Sequence, residues 1–400
     1  MTRRHTHAAL RSPSRRCGLV GRPRRSVLAL VLLVALAAAA CGDAGDEPAE
    51  ADGEPATTTT SRVDSAFPSP EWPEVDPGEA GFDPASLDDA VAIAEATGSH
   101  CLAVTRHGEL VGEWAFGDFG PDDSMAWFSM TKSLMAVLVG MAQTDGLLDI
   151  DDAASDYLES WQDTESEDVT IRNLLANDSG RAWSPAIDSD LVRAGDATAY
   201  AIGLGQDHEP GELWAYNQSA IQALEGILDA ALAGTGRDPV GYAEERLIEP
   251  LGLSGDWATD SAGNLTGYIG YTGTCDDALR LGHLALNLGE WDGEQLVDAD
   301  FMEQATRRPS QDLEQAYGLL WWRNTDGGWL DQDGVQQESG LAFPGEPIDS
   351  FSARGAGGQA AIVFPSDGVV IARLSPIVPD QEGDPLEEIS DAVARAIIEP

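Results

Sequence analysis

Lys132 is the sole lysine in a chain of 400 residues, and it stands three positions after a serine in Trp127-Phe128-Ser129-Met130-Thr131-Lys132-Ser133-Leu134. Of the 23 lysines and arginines, the other 22 are arginine. A guanidinium stays protonated at any ordinary pH, whereas a desolvated amine can release its proton and act as a base. Ser-x-x-Lys therefore predicts a serine nucleophile, Ser129, activated by a neutral lysine. The same tetrapeptide also arises from a helix-capping serine beside a surface lysine, so its surroundings must decide.

Those surroundings predict a helix. Leu134, Ala136, Val137, Leu138, Val139, Met141 and Ala142 form an apolar run ending at Asp145-Gly146, the pattern of a buried helix with a glycine stop. If Ser129 opens it, Lys132 lies one turn on along the same face. The unpaired N–H groups of the helix start then favour negative charge beside the serine, which is half of an oxyanion hole. Strand signals sit at both ends of the chain. Residues 100–116 read as a hairpin about Arg106-His107-Gly108, and residues 360–374 as another about Pro365-Ser366-Asp367-Gly368. Residues 129 to about 300 are mainly helical in pattern, and Pro385 to Ile398 reads as a closing helix. The expected fold is α/β of the α+β kind. An antiparallel sheet built from both termini is flanked by helices, and a mainly helical lobe is inserted, with Ser129 where the two meet.

Further landmarks carry a resemblance. They begin with Val169-Thr170-Ile171-Arg172-Asn173-Leu174-Leu175, Ser179-Gly180 and Pro210-Gly211-Glu212-Leu213-Trp214-Ala215-Tyr216-Asn217. Glu249-Pro250-Leu251-Gly252-Leu253, Asp277-Ala278-Leu279-Arg280-Leu281-Gly282, Tyr317-Gly318-Leu319-Leu320-Trp321-Trp322 and Gly357-Gly358-Gln359 follow in order. Together with Ser-x-x-Lys they resemble the serine β-lactamase and penicillin-binding-protein superfamily over roughly residues 78 to 375. Residues 175–183 with Tyr216-Asn217 and Gly357-Gly358-Gln359 look most like its class C-like esterases and aminohexanoate-oligomer (nylon-oligomer) hydrolases. The resemblance implies a serine hydrolase that passes through an acyl-enzyme. Ser129 would be the nucleophile, Lys132 its proton acceptor and Tyr216 the phenol that relays the proton to the leaving group. The backbone N–H groups of Ser129 and Ala356 would form the oxyanion hole, and Trp183, Gln218, Arg354 and Gly357 would contact substrate.

Two departures from the family pattern matter. Gln218 stands where the tyrosine motif usually has asparagine, with Asn217 between. The penicillin-recognising members carry Lys-Thr-Gly on a strand beside the nucleophile, where the cation meets a substrate carboxylate. In Phe351-Ser352-Ala353-Arg354-Gly355-Ala356-Gly357-Gly358-Gln359 only Arg354 can supply charge. This favours esters or linear amides over β-lactams and D-Ala-D-Ala ends. The competing readings are a D,D-carboxypeptidase or β-lactamase, and, from another class, a non-catalytic surface binding protein on the same fold. Asp277 reads as a helix cap. No metal-site spacing occurs, and neither a metal nor another cofactor is expected; the absence of Gly-x-Ser-x-Gly counts against the other common serine-hydrolase architecture.

Composition speaks to compartment. Arg22-Pro23-Arg24-Arg25, an apolar run Val27 to Ala40 and then Cys41 read as a lipoprotein signal peptide over residues 1–40, with Cys41 lipidated; Ala38-Ala39-Ala40-Cys41 lacks the usual Leu three before the cysteine, which leaves ordinary secretory cleavage or an uncleaved anchor as the alternatives. Residues 41–66, acidic and threonine-rich, read as a disordered tether, and 67–400 as the hydrolase domain. The expected location is outside the cytoplasmic membrane of a bacterium, held by a lipid anchor. The formal net charge is −46, and cleavage before Cys41 would remove eight arginines and no acid, giving −54. Such a surface repels nucleic acid and anionic lipid, leaving a small neutral ester or amide as the expected partner. Cys101 and Cys275 could pair in an oxidising exterior or remain two buried thiols.

Overall fold

The computed structural model describes residues 65–331, 334–377 and 385–398. The expected signal peptide, most of the tether, and Cys41 lie outside the described residues. Six strands make the main sheet: β1 (Cys101–Arg106), β2 (Glu109–Ala115), β3 (Trp322–Arg323), β4 (Phe351–Gly355), β5 (Gln359–Phe364) and β6 (Val369–Leu374). Their order is β2-β1-β6-β5-β4-β3, antiparallel throughout. Within it β1 lies against β6, Cys101 opposite Leu374 and Arg106 opposite Val369. The sheet is thus assembled from both ends of the chain, as the hairpin signals predict. His107 and Gly108, both at positive φ, form the two-residue turn between β1 and β2.

Alternation along the strands decides what covers each face. Leu102, Val104, Ile362, Phe364 and Ile371 point to one side, where they bury against α1 (Pro84–Ala96) and the terminal helix Pro385–Ala396. Cys101, Ala103, Ala361, Val363, Val370 and Ala372 point to the other. There they join the larger core with α2 (Thr131–Thr144), α3 (Gln218–Ala231) and α4 (Cys275–Leu286). Because both faces are covered, β1, β5 and β6 are buried at every residue. Residues Thr131 to Ala142 of α2 are likewise buried on all sides, which accounts for an apolar run without a polar stripe. Thr274 and Asp277 form a reciprocal capping box at the start of α4, so Asp277 serves as a structural cap. A disulfide joins Cys101 on β1 to Cys275, the first residue of α4.

Two local features differ from the sequence reading. The helix begins at Thr131, and Ser129 lies two residues earlier, in a 3-10 turn Phe128–Met130, where it caps nothing. A small three-stranded sheet of Met125–Ala126, Tyr271–Gly273 and Asp256–Trp257 also flanks that turn. Strands of two or three residues are too short to show alternation in a sequence.

Candidate active site

The turn that carries Ser129 is built under strain. Phe128 has φ +49°, a region that L side chains avoid at a cost of order 1–3 kcal/mol. Its neighbours hold it there: the Trp127 N–H donates to Tyr271 O at 2.9 Å, and the buried Trp127 ring packs edge-on against Tyr271. The first turn of α2 is pinned on two further sides. Tyr271 N–H donates to Thr131 Oγ1 at 3.1 Å, and Ser133 Oγ donates to Leu320 O at 2.7 Å.

Lys132 points back from α2 to the turn. Its Nζ donates to Ser129 Oγ at 2.8 Å and to Tyr268 O at 2.7 Å. The side chain is 1% exposed. Burial pushes the amine down from its usual range to about 7, against a smaller opposing pull from the Asp188 carboxylate. At neutral pH and above, this lysine can therefore hold a lone pair beside the serine hydroxyl.

Tyr216 lies beside the same hydroxyl on the side of the helical lobe, and the Ser129 side chain pulls its phenol down by less than burial pushes it up. Asn177, itself at φ +61°, fixes the tyrosine from both sides. Its carbonyl accepts from Ala215 N–H at 2.9 Å, and its Oδ1 accepts from Asn217 N–H at 3.3 Å. The Tyr216 ring stacks on Trp322 at 5.9 Å, and Lys132 Nζ lies 4.9 Å from its centroid. Burial raises the phenol to about 12, so it keeps its proton at neutral pH and can donate it.

The opposite wall is β4. A Cβ on Gly355 would lie 2.1 Å from Trp127 O and 3.1 Å from Met130 N, so the strand touches the Ser129 turn backbone to backbone. Ala356 follows directly and is exposed. Neither the Ser129 N–H nor the Ala356 N–H has a hydrogen-bond acceptor among the described residues. Free backbone donors are what a developing oxyanion requires.

The remaining sequence-derived site residues divide. Trp183 is 42% exposed and donates from Nε1 to Asp188 Oδ2 at 3.1 Å. Gln218 is the first residue of α3, and its buried Oε1 has no partner among the described residues. Asn217 is the helix cap, its Oδ1 accepting from Ala220 N–H at 3.1 Å. Arg354 is committed elsewhere. Its guanidinium pairs with the buried Glu346, donates to Ser352 Oγ at 2.7 Å and lies 3.8 Å above the Phe343 ring. Gly357 sits in the turn between β4 and β5 at φ +82°, where it allows the reversal; the close approach to the Ser129 turn falls to Gly355. Sequence reasoning missed Asn177, Asp188 and Tyr268 as parts of the site, and left Trp322 open between acyl pocket and core. Tyr268 acts through its carbonyl, which no side-chain motif can reveal.

Comparison with known proteins places this geometry. The family profile described as Beta-lactamase matches residues 89–395. A β-lactamase of Providencia stuartii is 29% identical over 126 residues, 31% of this chain and 31% of that protein, so the match spans about a third of that relative's length. Among solved structures, a protein of Bacillus anthracis assigned as a 6-aminohexanoate-dimer hydrolase superposes with a TM-score of 0.59 at 18% identity. That match covers 77% of this chain and 80% of the other. A family VIII carboxylesterase gives 0.58 at 16% identity, covering 78% and 97%. At such identities the structural likeness is one of fold.

Proposed function

We propose that this chain, which belongs to the Beta-lactamase family, is a serine hydrolase that cleaves a neutral ester or linear amide through an acyl-enzyme on Ser129. The observation that carries this reading is the 2.8 Å hydrogen bond between the buried amine of Lys132 and the Ser129 hydroxyl, with the Tyr216 ring 4.9 Å from the same amine. With the amine neutral, the Ser129 hydroxyl donates to its lone pair. Ser129 Oγ then attacks the carbonyl carbon while Lys132 takes the proton. The carbonyl oxygen becomes an oxyanion facing the Ser129 and Ala356 N–H groups. As the tetrahedral adduct collapses, Tyr216 gives a proton to the departing alkoxide or amine and recovers one from the Lys132 ammonium. Water repeats the sequence on the ester of Ser129, releasing the acid. Trp183 and Gln218 would line the acyl pocket.

The substrate class follows from charge. The pairing of Arg354 with Glu346 supports a site without a cation for a substrate carboxylate, and a net charge of −46 opposes anions at longer range. A hydrolysis screen over p-nitrophenyl esters, linear amides and nitrocefin tests the reading. Short neutral esters turned over faster than nitrocefin would support it, and nitrocefin preferred over all of them would replace it with a β-lactamase. The enzyme would work outside the cytoplasmic membrane, anchored by a lipid on Cys41. The Cys101–Cys275 disulfide supports an oxidising compartment. Mass spectrometry finding no lipid on Cys41, or no release from membranes in Cys41→Ser, would sink the anchor.

A further inference from the structure

Lys132 Nζ donates to two oxygens, and only one of them belongs to Ser129. The other, Tyr268 O, lies in the segment from Leu265 to Gly270 that leads into the strand Tyr271–Gly273. One buried side chain of α3 holds that segment. Gln222 Nε2 donates to Leu265 O at 2.8 Å, and Gln222 Oε1 accepts from Gly267 N–H at 3.0 Å. Both ends of a three-residue stretch immediately before Tyr268 are thus closed by a single amide that is 0% exposed.

Which way the amide faces is set behind it. Gln222 Nε2 also donates to Thr198 Oγ1 at 2.9 Å, and Thr198 Oγ1 donates its own hydrogen to Glu225 Oε2 at 2.6 Å. A hydroxyl whose hydrogen goes to a carboxyl oxygen offers only lone pairs to the amide, so the NH2 must turn toward Thr198 and the oxygen toward Gly267. On its far side the segment rests on the catalytic helix, where a Cβ on Gly267 would lie 3.2 Å from Met135 Sδ. Nothing in Ser-x-x-Lys chemistry requires these three residues, yet together they fix the second oxygen that the amine touches.

We infer that Gln222, oriented by Thr198 and Glu225, is a positioning residue for Lys132: it fixes the Tyr268 carbonyl that aims the amine at Ser129. The inference rests on the serine-hydrolase reading of that pair. A neutral amine has two hydrogens and one lone pair. Tying one hydrogen to Tyr268 O limits rotation about Cε–Nζ and leaves the lone pair able to meet the Ser129 hydroxyl, and the same carbonyl accepts from the ammonium once the proton has moved. The titratable groups around the amine are Tyr216, Tyr268 and Asp188.

The test is the pH dependence of kcat and KM for a neutral p-nitrophenyl ester in the wild type, Gln222→Met, Thr198→Val and Ser129→Ala, with thermal melting of each. Methionine keeps the length of Gln222 and removes both polar contacts. Its kcat should fall about 10- to 100-fold, the cost of a small misplacement of a catalytic group, with KM changed less than about threefold. Its acid limb should move to higher pH, because water admitted past a loosened segment eases protonation of the amine. Thr198→Val should do the same more weakly, and it carries the test if Gln222→Met does not fold. Wild-type kcat and an unmoved acid limb in the folded variants would overturn the inference. If Ser129→Ala kept full activity, the underlying site reading would fall instead, whatever the other variants did.

Discussion

A lysine with about 1% of its side chain exposed and only neutral hydrogen-bond partners is a liability to the fold and an asset to the site. With the amine held near 7, kcat/KM should climb as pH rises through that value, and the phenol near 12 should impose no limit in the working range. Asp188 sets the position of this limb. Its negative charge favours the ammonium, so Asp188→Asn should move the limb to lower pH, and an unmoved limb would remove Asp188 from the site's electrostatics. The folding ledger runs the other way. Between about 7 and the unfolded value near 10.4 the unfolded chain binds a proton that the folded chain releases, so the penalty for burying Lys132 fades as pH rises across that window. Lys132→Met should be inactive yet melt higher, by about 1 kcal/mol or more at pH 7, with the gap narrowing toward pH 10. A lower melting point at pH 7 would contradict this. At this scale the sequence was most readable where it was most unusual. A sole lysine announces itself, whereas Asp188 is one of 69 acids and only proximity in the fold singles it out.

Elements determine whether those residues meet. The antiparallel order of the sheet brings β4 alongside the Ser129 turn, and Gly355 is the point of contact. In Gly355→Ala the added Cβ would face two backbone atoms that cannot yield, so either the strand or the turn must shift. We expect kcat to fall about 100-fold and stability to fall by about 1–3 kcal/mol. Wild-type kcat would mean that β4 does not shape the site. The sequence shows three glycines within four residues, 355 to 358, without distinguishing their tasks. Gly357 and Gly358 need positive φ for the turn, and Gly355 needs the space that a Cβ would fill. Hairpins and the buried helix were legible because alternation and apolar runs extend over six residues or more. The 3-10 turn at Ser129 was not, since a strained Phe128 obeys no local preference and is held by Trp127 and Tyr271 from elsewhere in the chain.

For the whole molecule, the chain's two distant parts are joined covalently. The Cys101–Cys275 disulfide spans a sequence separation of 174 and fastens the sheet to α4, a pairing that spacing alone could not decide. Replacing both cysteines by serine should cost about 2–5 kcal/mol, read as a lower melting point that reducing agent no longer affects. A variant as stable as the oxidised wild type would show the link to be idle. Charge acts on the same scale. Of two matched esters, one neutral and one bearing a free carboxylate, the neutral one should be preferred about a hundredfold or more in kcat/KM, because Arg354 is already paired. Equal use of the acid would mean that Arg354 leaves Glu346 to bind it.

The central claim is that Ser129 becomes acylated with Lys132 as its base. Peptide mass spectrometry after reaction with a fluorophosphonate, run on the wild type, Ser129→Ala and Lys132→Arg, tests it most directly. Because Ser129 caps no helix, its alanine variant should remain folded. One adduct is expected, on Ser129 of the wild type, with none in Ser129→Ala and labelling slowed by at least about 100-fold in Lys132→Arg, where the charge is kept and the base is lost. An adduct on another residue, or labelling of Lys132→Arg at the wild-type rate, would contradict it.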